Sequence, residues 1–446
     1  MKAYPAYKDS GVEWIGNIPQ DWDITKLKWL LKDKLKYGAN ESAELVDKTL
    51  PRYIRITDFD ESGNIRENTF RSLPNEIAQD YLLDEGDILF ARSGATVGKT
   101  FQFKNYKGKA CFAGYLIKAS PNTKKVLSDY LYLFTKSSSY EYWKNSIFIQ
   151  ATIQNIGANK YQYLDIPVPP LSKQRAIADF LNRKTTQIDT LITKKQRQIE
   201  LLQEHRTAII NQAVNKGLNP DAPMKGSGVE WLGEIPGHWE VKKLKWLANV
   251  TLSNIDKKTK DDEPEVELCN YTDVYYYEHI SQSIDFMRAS ASRHQIKRLS
   301  LQAGDVLITK DSETPDDIAV PAYVPETLPG VVCGYHLSNL RSYAKEMRGK
   351  YLFRSFQAND INDQFQFSAK GITRFGISKY IIENALFLQP PLHEQRAIAD
   401  FLDHRTAIID HNVTLTNKEI NLLQEYRTAL ISATVTGKID VRAEGS

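Results

Sequence analysis

Cysteine is scarce in this chain: Cys111, Cys269 and Cys333 are far apart, odd in number and never in a CxxC spacing. That pattern excludes a disulfide framework and a zinc site, and leaves buried free thiols as the expectation. Long apolar runs are also missing. No stretch approaches the ~18 consecutive apolar residues that span a bilayer, and the opening MKAYPAYKDSG lacks the apolar core of a signal peptide. The chain is expected in the cytoplasm, with no membrane partner. Clustered histidine is missing too. His205, His238, His279, His294, His336, His393, His404 and His411 form no Ser/His/Asp or metal-ligand spacing, and His404 and His411, seven apart, read as one solvated or interface face of a helix. A strong excess of charge is the last absence. The net charge is +3, distributed as +3 over 1–170, +5 over 171–217, −3 over 218–390 and −2 over 391–446. Charge alone leaves a nucleic-acid partner undecided.

What is present is ordinary globular material, 41% hydrophobic, 25% charged and 11% aromatic. A chain of 446 residues calls for at least two domains of roughly 100–200 residues each. The sequence shows where they divide, because it is written twice. SGVEWIGNIP at Ser10 returns as SGVEWLGEIP at Ser227, and KLKWL at Lys26 returns at Lys243, an offset of 217 without a gap. LDEGDILF around Gly86 matches LQAGDVLI around Gly304, and Gly114-Tyr115 matches Gly334-Tyr335. PPLSKQRAIADFL from Pro169 is echoed by PPLHEQRAIADFL from Pro390, and LLQEHRTA from Leu201 by LLQEYRTA from Leu422, now at an offset of 221. A repeat of half the chain is a duplicated domain, not a solenoid unit. Between these anchors the halves diverge, as RITDFDES after Ile54 against NYTDVYYY after Cys269 shows.

Each half ends in a long helix. Ile177, Leu181, Ile188, Leu191, Ile192, Ile199, Leu202 and Ile209 fall mostly three or four apart, on one face. Pro170 precedes them, Ser172 is a plausible N-cap, and Gly217 with Pro220 stops the helix. Ile398, Leu402, Ile409, Val413, Ile420, Leu423 and Leu430 repeat the stripe up to Gly437. At 1.5 Å per residue, a helix of ~45 residues spans roughly 65 Å. Neither stripe can be hidden by its own helix, so the two helices are expected to pair as an antiparallel coiled coil, with Lys195 and His205 interrupting a strict heptad. The interiors, roughly 20–168 and 237–389, read as short strands such as Tyr53–Ile56, Asp87–Phe90 and Val306–Ile308, mixed with helix-like segments such as Ser128–Trp143. LNPDAPM after Gly217 links the halves.

Three motifs suggest catalysis, and each fails on spacing, position or residue type. GATVGKT at Gly94 resembles a P-loop but has three residues between its glycines, not four, and the matching TKDSETP of the second half lacks both glycine and GK. Pro220-Asp221 followed by Glu240-Val241-Lys242 resembles a PD…ExK nuclease, yet its first pair lies in the linker and its lysine is not shared with Asp23-Ile24-Thr25. Val168-Pro169-Pro170-Leu171 and Gln389-Pro390-Pro391-Leu392 lack the Asn or Asp before PP with which an adenine methyltransferase grips a flipped base. No catalytic, cofactor-binding or metal site is expected in this chain.

SGVEW-(I/L)-G-x-IP-x-x-W, GD-(I/V)-L and PPL-x-x-QRAIADFL, each present in both halves, resemble the specificity subunits of type I restriction-modification enzymes over residues 1–437. The resemblance implies an α+β, pseudo-two-fold symmetric dumbbell: target-recognition domain 1 (1–170), spacer helix 1 (171–217), target-recognition domain 2 (218–390), spacer helix 2 (391–437) and a tail (438–446) whose final EGS is native or a remnant of cloning. It implies that each domain reads one half of a bipartite, asymmetric double-stranded DNA target. It further implies two methyltransferase subunits that use S-adenosylmethionine and two restriction subunits that use ATP and Mg²⁺, with no cofactor on this chain. Arg and Lys read guanine, and Asn and Gln read adenine, in the major groove. Candidate contacts are therefore Arg52, Arg55, Arg92, Ser93, Lys99, Gln150, Thr152 and Gln154 in the first domain. In the second they are Asn270, Tyr271, Lys310, Asp311, Lys370, Thr373 and Arg374. Trp14, Trp22, Trp231 and Trp239 are expected as core anchors. A stand-alone two-headed nucleic-acid binder is the alternative.

Overall fold

The computed structural model describes residues 2–60, 63–94, 96–149 and 155–441. The chain forms two compact units, residues 1–196 with 417–446, and residues 197–416. The division cuts through both long helices, Leu171–Lys216 and Leu392–Val435. Each unit therefore contains one mixed strand-and-helix domain, the beginning of one helix and the end of the other.

The domains share a topology. In the first unit a four-stranded antiparallel sheet runs Lys36–Tyr37, Leu116–Ala119, Ile88–Ala91, Thr100–Gln102, beside a parallel pair, Arg52–Ile54 with Ala110–Phe112. In the second unit the equivalent sheet runs Ala248–Leu252, Leu337–Ser342, Asp305–Thr309, Pro321–Tyr323. Its parallel pair is Glu265–Cys269 with Val331–Cys333, and Met287–Ser290 adds a private third strand. An antiparallel pair at the root of each domain, Asp23–Lys26 with Asp165–Val168 and Glu240–Lys243 with Leu386–Gln389, feeds the chain into its long helix.

The repeated motifs are explained by this frame. Ser10 and Ser227 each accept from the amide two residues on, closing the same turn. Asp87 and Asp305 accept from the amides of Asp84 and Gln302, which is why GD precedes the central strand in both halves. The glutamine of PPLxxQR is buried. Gln174 accepts from Leu127 N and donates to Lys125 O and Pro169 O, and Gln395 accepts from Arg348 N and donates to Glu346 O and Pro390 O. It bolts the helix start to its domain by satisfying backbone groups that would otherwise be buried unpaired. The helix begins at Leu171, with Lys173 N and Gln174 N bonded to Pro170 O, so Ser172 lies in the first turn and is not the cap.

The helices run antiparallel within each unit. In the first, Asp189 pairs with Arg427 at 2.8 Å and Lys195 with Glu419 at 2.6 Å; in the second, Arg206 pairs with Asp410 at 3.0 Å. One core in the first unit contains Trp22, Leu27, Ile88 and Tyr130 of the domain, Ile177 and Leu181 of the first helix, and Leu430, Ile431 and Val435 of the second. The second unit repeats this with Trp239, Leu244, Val306 and Tyr351, then Ile398 and Leu402, then Ile210 and Val214. Gly437 and Gly217 end the helices at positive φ, 73° and 75°, where a Cβ would meet Pro19 at 2.2 Å and Trp239 at 3.0 Å. Only glycine takes both the left-handed turn and the close approach at low cost. Trp22 and Trp239 are fully buried and Trp14 packs on the core, but Trp231 is 42% exposed and is not an anchor. Leu191, counted in the buried stripe, is likewise 42% exposed.

Burial pushes the Cys111 thiol up to about 12 and raises Cys269 and Cys333 further, as inert core thiols require. In the second unit the buried guanidinium of Arg354 donates to Asp403 at 2.8 Å, Thr406 at 3.1 Å and Gln357 at 2.7 Å. Removing one member of a buried, hydrogen-bonded charge group leaves the others unsatisfied. Arg354→Met is expected to lower the urea-unfolding free energy by roughly 2–3 kcal/mol. The exposed Arg197→Met, whose partners Glu200 and Glu204 also face water, is expected to change it by under about 0.5 kcal/mol.

Candidate nucleic-acid interface

The parallel strand pair and the central strand end on the same side of each domain, and their carboxyl ends deliver most of the candidate residues. In the first unit Arg55 follows Arg52–Ile54, Arg92 and Ser93 follow Ile88–Ala91, and Tyr115 follows Ala110–Phe112. In the second, Asn270 and Tyr271 follow Glu265–Cys269, Lys310 and Asp311 follow Asp305–Thr309, and Tyr335 follows Val331–Cys333.

Not every candidate faces outward. Arg52 is 1% exposed, donates to Arg66 O and lies between the rings of Phe70 and Tyr106 at 5.4 and 5.6 Å. It braces the interior and offers no donor to a ligand, which corrects the expectation for that residue. Arg55 is half-buried and held by Asp58 at 2.8 Å and Thr69 O at 2.8 Å. Arg92 stacks over Tyr37 at 5.0 Å, and Ser93 forms a backbone bridge with Asn155. Lys99 is exposed. It sits in a hairpin turn, with Gly98 N bonded to Ala91 O, that continues into the strand Thr100–Gln102 and not into a helix. A P-loop requires a helix N-terminus after the glycines, so this segment is not one. Gln150, Thr152 and Gln154 lie outside the described residues.

In the second unit Asn270 begins the short helix Tyr271–Tyr276, its amide bonded to Asp273 at 2.7 Å. Tyr271 stacks on Tyr275 with centroids 5.6 Å apart. Lys310 is bonded to Asp311 at 3.1 Å and lies over the Tyr335 ring at 4.5 Å, while His336 Nδ1 lies 2.8 Å from Asp311 and 3.3 Å from Arg374. The pair Asp311–Ser312 with Phe375–Gly376 pins a hairpin whose tip exposes Lys370, Ile372, Thr373 and Arg374. Tyr271, Asp311 and Arg374 share a cleft with Tyr275, Ser312 and Asp317. Lys242, the lysine of the nuclease look-alike, is occupied by Glu240 at 3.1 Å and Glu346 at 3.6 Å. No group of three or more metal-ligating side chains occurs among the described residues.

Sequence reading missed Lys136. It lines a cleft of the first unit with Lys99, Arg66, Thr96 and Asp60, its ammonium donating to Thr100 O at 2.6 Å over the Tyr132 ring at 4.6 Å. Burial holds its pKa down to about 8, with Arg427 and Lys99 lowering it further and Glu141 opposing. A lysine in a helical tail carries no sequence signal of such burial.

The family model described as type I restriction modification DNA specificity domain matches residues 19–201 and 236–425. The chain is 22% identical over 426 residues to the type I restriction enzyme MjaVIII specificity subunit of Methanocaldococcus jannaschii, covering 95% of this chain and 94% of that one. It is 23% identical over 436 residues to the type I restriction enzyme EcoKI specificity subunit of Escherichia coli, covering 95% and 90%. Its fold matches the HsdS subunit from Thermoanaerobacter tengcongensis at TM-score 0.54 and 14% identity, covering 95% of this chain and 98% of that one. It also matches, at TM-score 0.72 and 14% identity, a chain from a structure reported for complex assembly and conformational transition of the type I R-M system, covering 95% and 99%.

An anion entering the Lys136 cleft favours the protonated amine, so its binding is coupled to proton uptake. Affinity for a phosphate-bearing ligand is expected to weaken as pH rises from 7.5 to 9.5. Lys136→Met is expected to bind more weakly at pH 7.5 and to lose that pH dependence, measured by fluorescence anisotropy on duplex DNA.

Proposed function

Since the chain belongs to the type I restriction-modification DNA specificity family, we propose that each of its two domains reads one half of a bipartite, asymmetric duplex target through the strand-end surface described above. The observation that carries this reading is the combination of one frame with two sets of side chains. At equivalent strand ends the first domain presents Arg55, Arg92 and Ser93 and the second Asn270, Lys310 and Asp311. A donor-rich set and a set that includes an acceptor carboxylate suit different base edges.

The chain itself performs no chemistry in this proposal. Of its three catalytic look-alikes, Lys99 leads into a strand, Lys242 is held in ion pairs, and Pro170 and Pro391 stand at the starts of the long helices. Methylation of adenine with S-adenosylmethionine, and ATP- and Mg²⁺-dependent translocation and cleavage, belong to two methyltransferase and two restriction subunits assembled on it in the cytoplasm. A docking surface for such partners is at hand in the second unit. Phe401, Ile408 and Leu415 are seven apart on the second helix, 39–46% exposed, and lie off the face that buries Ile398, Leu402 and Ile409. Exposed residues at heptad spacing suit a further packed helix.

Exchanging residues 20–168 for those of another family member is expected to change one half of the methylated motif and leave the other intact. Inserting four residues after Gln198 is expected to lengthen the unread spacer between the halves without changing either half. Single-molecule methylome sequencing of cells carrying the gene with its methyltransferase partner reads both. An unchanged motif after the domain exchange contradicts the reading.

A further inference from the structure

Where each domain meets the long helices, the two units correspond bond for bond. Lys136 N bonds to Leu133 O as Gln357 N does to Arg354 O, and Ser138 N bonds to Ser432 Oγ as Asn359 N does to Asn211 Oδ1. Arg427 pairs with Asp189 as Arg206 does with Asp410. Lys136 therefore stands where the second domain has Gln357, and a difference in what surrounds these two residues is informative.

In the second unit that place is filled by Glu278. Its carboxylate accepts from Arg206, from Gln357 at 2.8 Å and from Arg354 at 3.4 Å. The segment that carries it lies along the outer sheet strand, with Tyr323 N bonded to Glu278 O and Ile280 N to Tyr323 O, both at 2.8 Å. In the first unit the outer strand is Thr100–Gln102, and beside it lies a cleft of about 630 Å³ lined by Lys136, Lys99, Arg66 and Asp60. The Lys136 ammonium has a backbone carbonyl and a ring as its partners. Glu141 is taken by Lys144, and Asp60 accepts from Asn64 N at 2.8 Å. Among the described residues no ion pair reaches Lys136, Lys99 or Arg66. A cation drawn out of water without a counter-charge costs free energy. The second unit carries its own anion at this junction, and the first leaves the equivalent seat empty with three cations around it.

What else lines the cleft indicates which anion comes. Ile56 and Thr57 lie just past the carboxyl end of the parallel strand, and Thr96 and Lys99 belong to the hairpin beyond the central strand. The cleft thus opens among the loops of the reading surface. Duplex DNA brings phosphates to that surface whatever its bases. A phosphodiester offers charged oxygens to several donors at once, as the Glu278 carboxylate does. Resting on the function proposed above, we propose that the Lys136 cleft seats one backbone phosphate of the first half-target, at the place where the second domain carries Glu278. The second domain does not grip the backbone at this point, because Glu278 already satisfies Arg206 and Arg354 and repels a phosphate. The two halves of the target are therefore held unequally. The contact fixes where the first domain sits on the duplex without choosing its bases.

The test uses the complete methyltransferase complex carrying wild type, Lys136→Gln or Lys136→Arg, on duplexes bearing the wild-type motif in which each phosphate in turn is replaced by a neutral methylphosphonate. Glutamine is the residue of the second domain at this place and keeps a donor for Thr100 O, so the fold is retained. By fluorescence anisotropy, wild type is expected to lose affinity on the order of tenfold when one phosphate of the first half is neutralised. Lys136→Gln is expected to bind the unmodified duplex about as weakly and to be indifferent to neutralisation at that position. It is also expected to lower the slope of log affinity against log salt by about 0.9 and to leave the methylome motif unchanged. Lys136→Arg is expected to keep the wild-type sensitivity, because the charge is kept. A Lys136→Gln complex that binds as wild type, stays sensitive at every phosphate, or becomes indifferent in the second half instead overturns the phosphate seat and leaves the specificity function standing. So does a loss confined to assembly with the methyltransferase subunits, which identifies a protein carboxylate as the occupant. A wild-type complex that binds no bipartite duplex overturns both.

Discussion

A helix of 46 residues with an apolar stripe cannot bury that stripe by itself, and this constraint organises the rest of the chain. The solution is the same in both units. The start of one long helix and the end of the other enter a single hydrophobic core with the root of a recognition domain, through Ile177, Leu181 and Leu430 in one and Ile398, Leu402 and Ile210 in the other. The first domain is therefore completed by a segment from the far end of the sequence, and the second by the helix end that directly precedes it. The short strands that carry the reading surface gain rigidity from a core that they do not build alone. Gln174 and Gln395 tie the two layers together at their junction.

Such an arrangement separates two kinds of residue. Those in the repeated motifs serve the frame: Ser10, Asp87, Gln174 and Trp22 each have a partner in the second half with the same contacts or the same burial. Those between the motifs are free to change, because the strand ends open into solvent. Ser93 and Asp311 stand past Ala91 and Thr309, the last paired residues of the central strands, whereas Arg52 is buried within the parallel pair.

This separation also explains what could be read beforehand. The two helices, their stops at Gly217 and Gly437, and the antiparallel pairing were legible because periodicity and repetition are long-range signals in a single sequence. Leu191 and Trp231 were misplaced since one exposed apolar side chain in a stripe or turn carries no mark of its exposure. Arg52 was misassigned because an arginine after a loop looks the same whether it meets a base or is clamped by Phe70 and Tyr106. The setting of Lys136, between Thr100 and the Tyr132 ring, depends on a neighbour far off in sequence, and no local pattern encodes it.

The central claim, that each domain with its borrowed helix end is one reading head for one half of a duplex target, is most directly tested by hydroxyl-radical footprinting of the methyltransferase complex on its methylated motif. The account expects two protected tracts flanking unprotected bases, with Arg374→Ala weakening one tract only. A single tract, or equal loss of both in that variant, contradicts it.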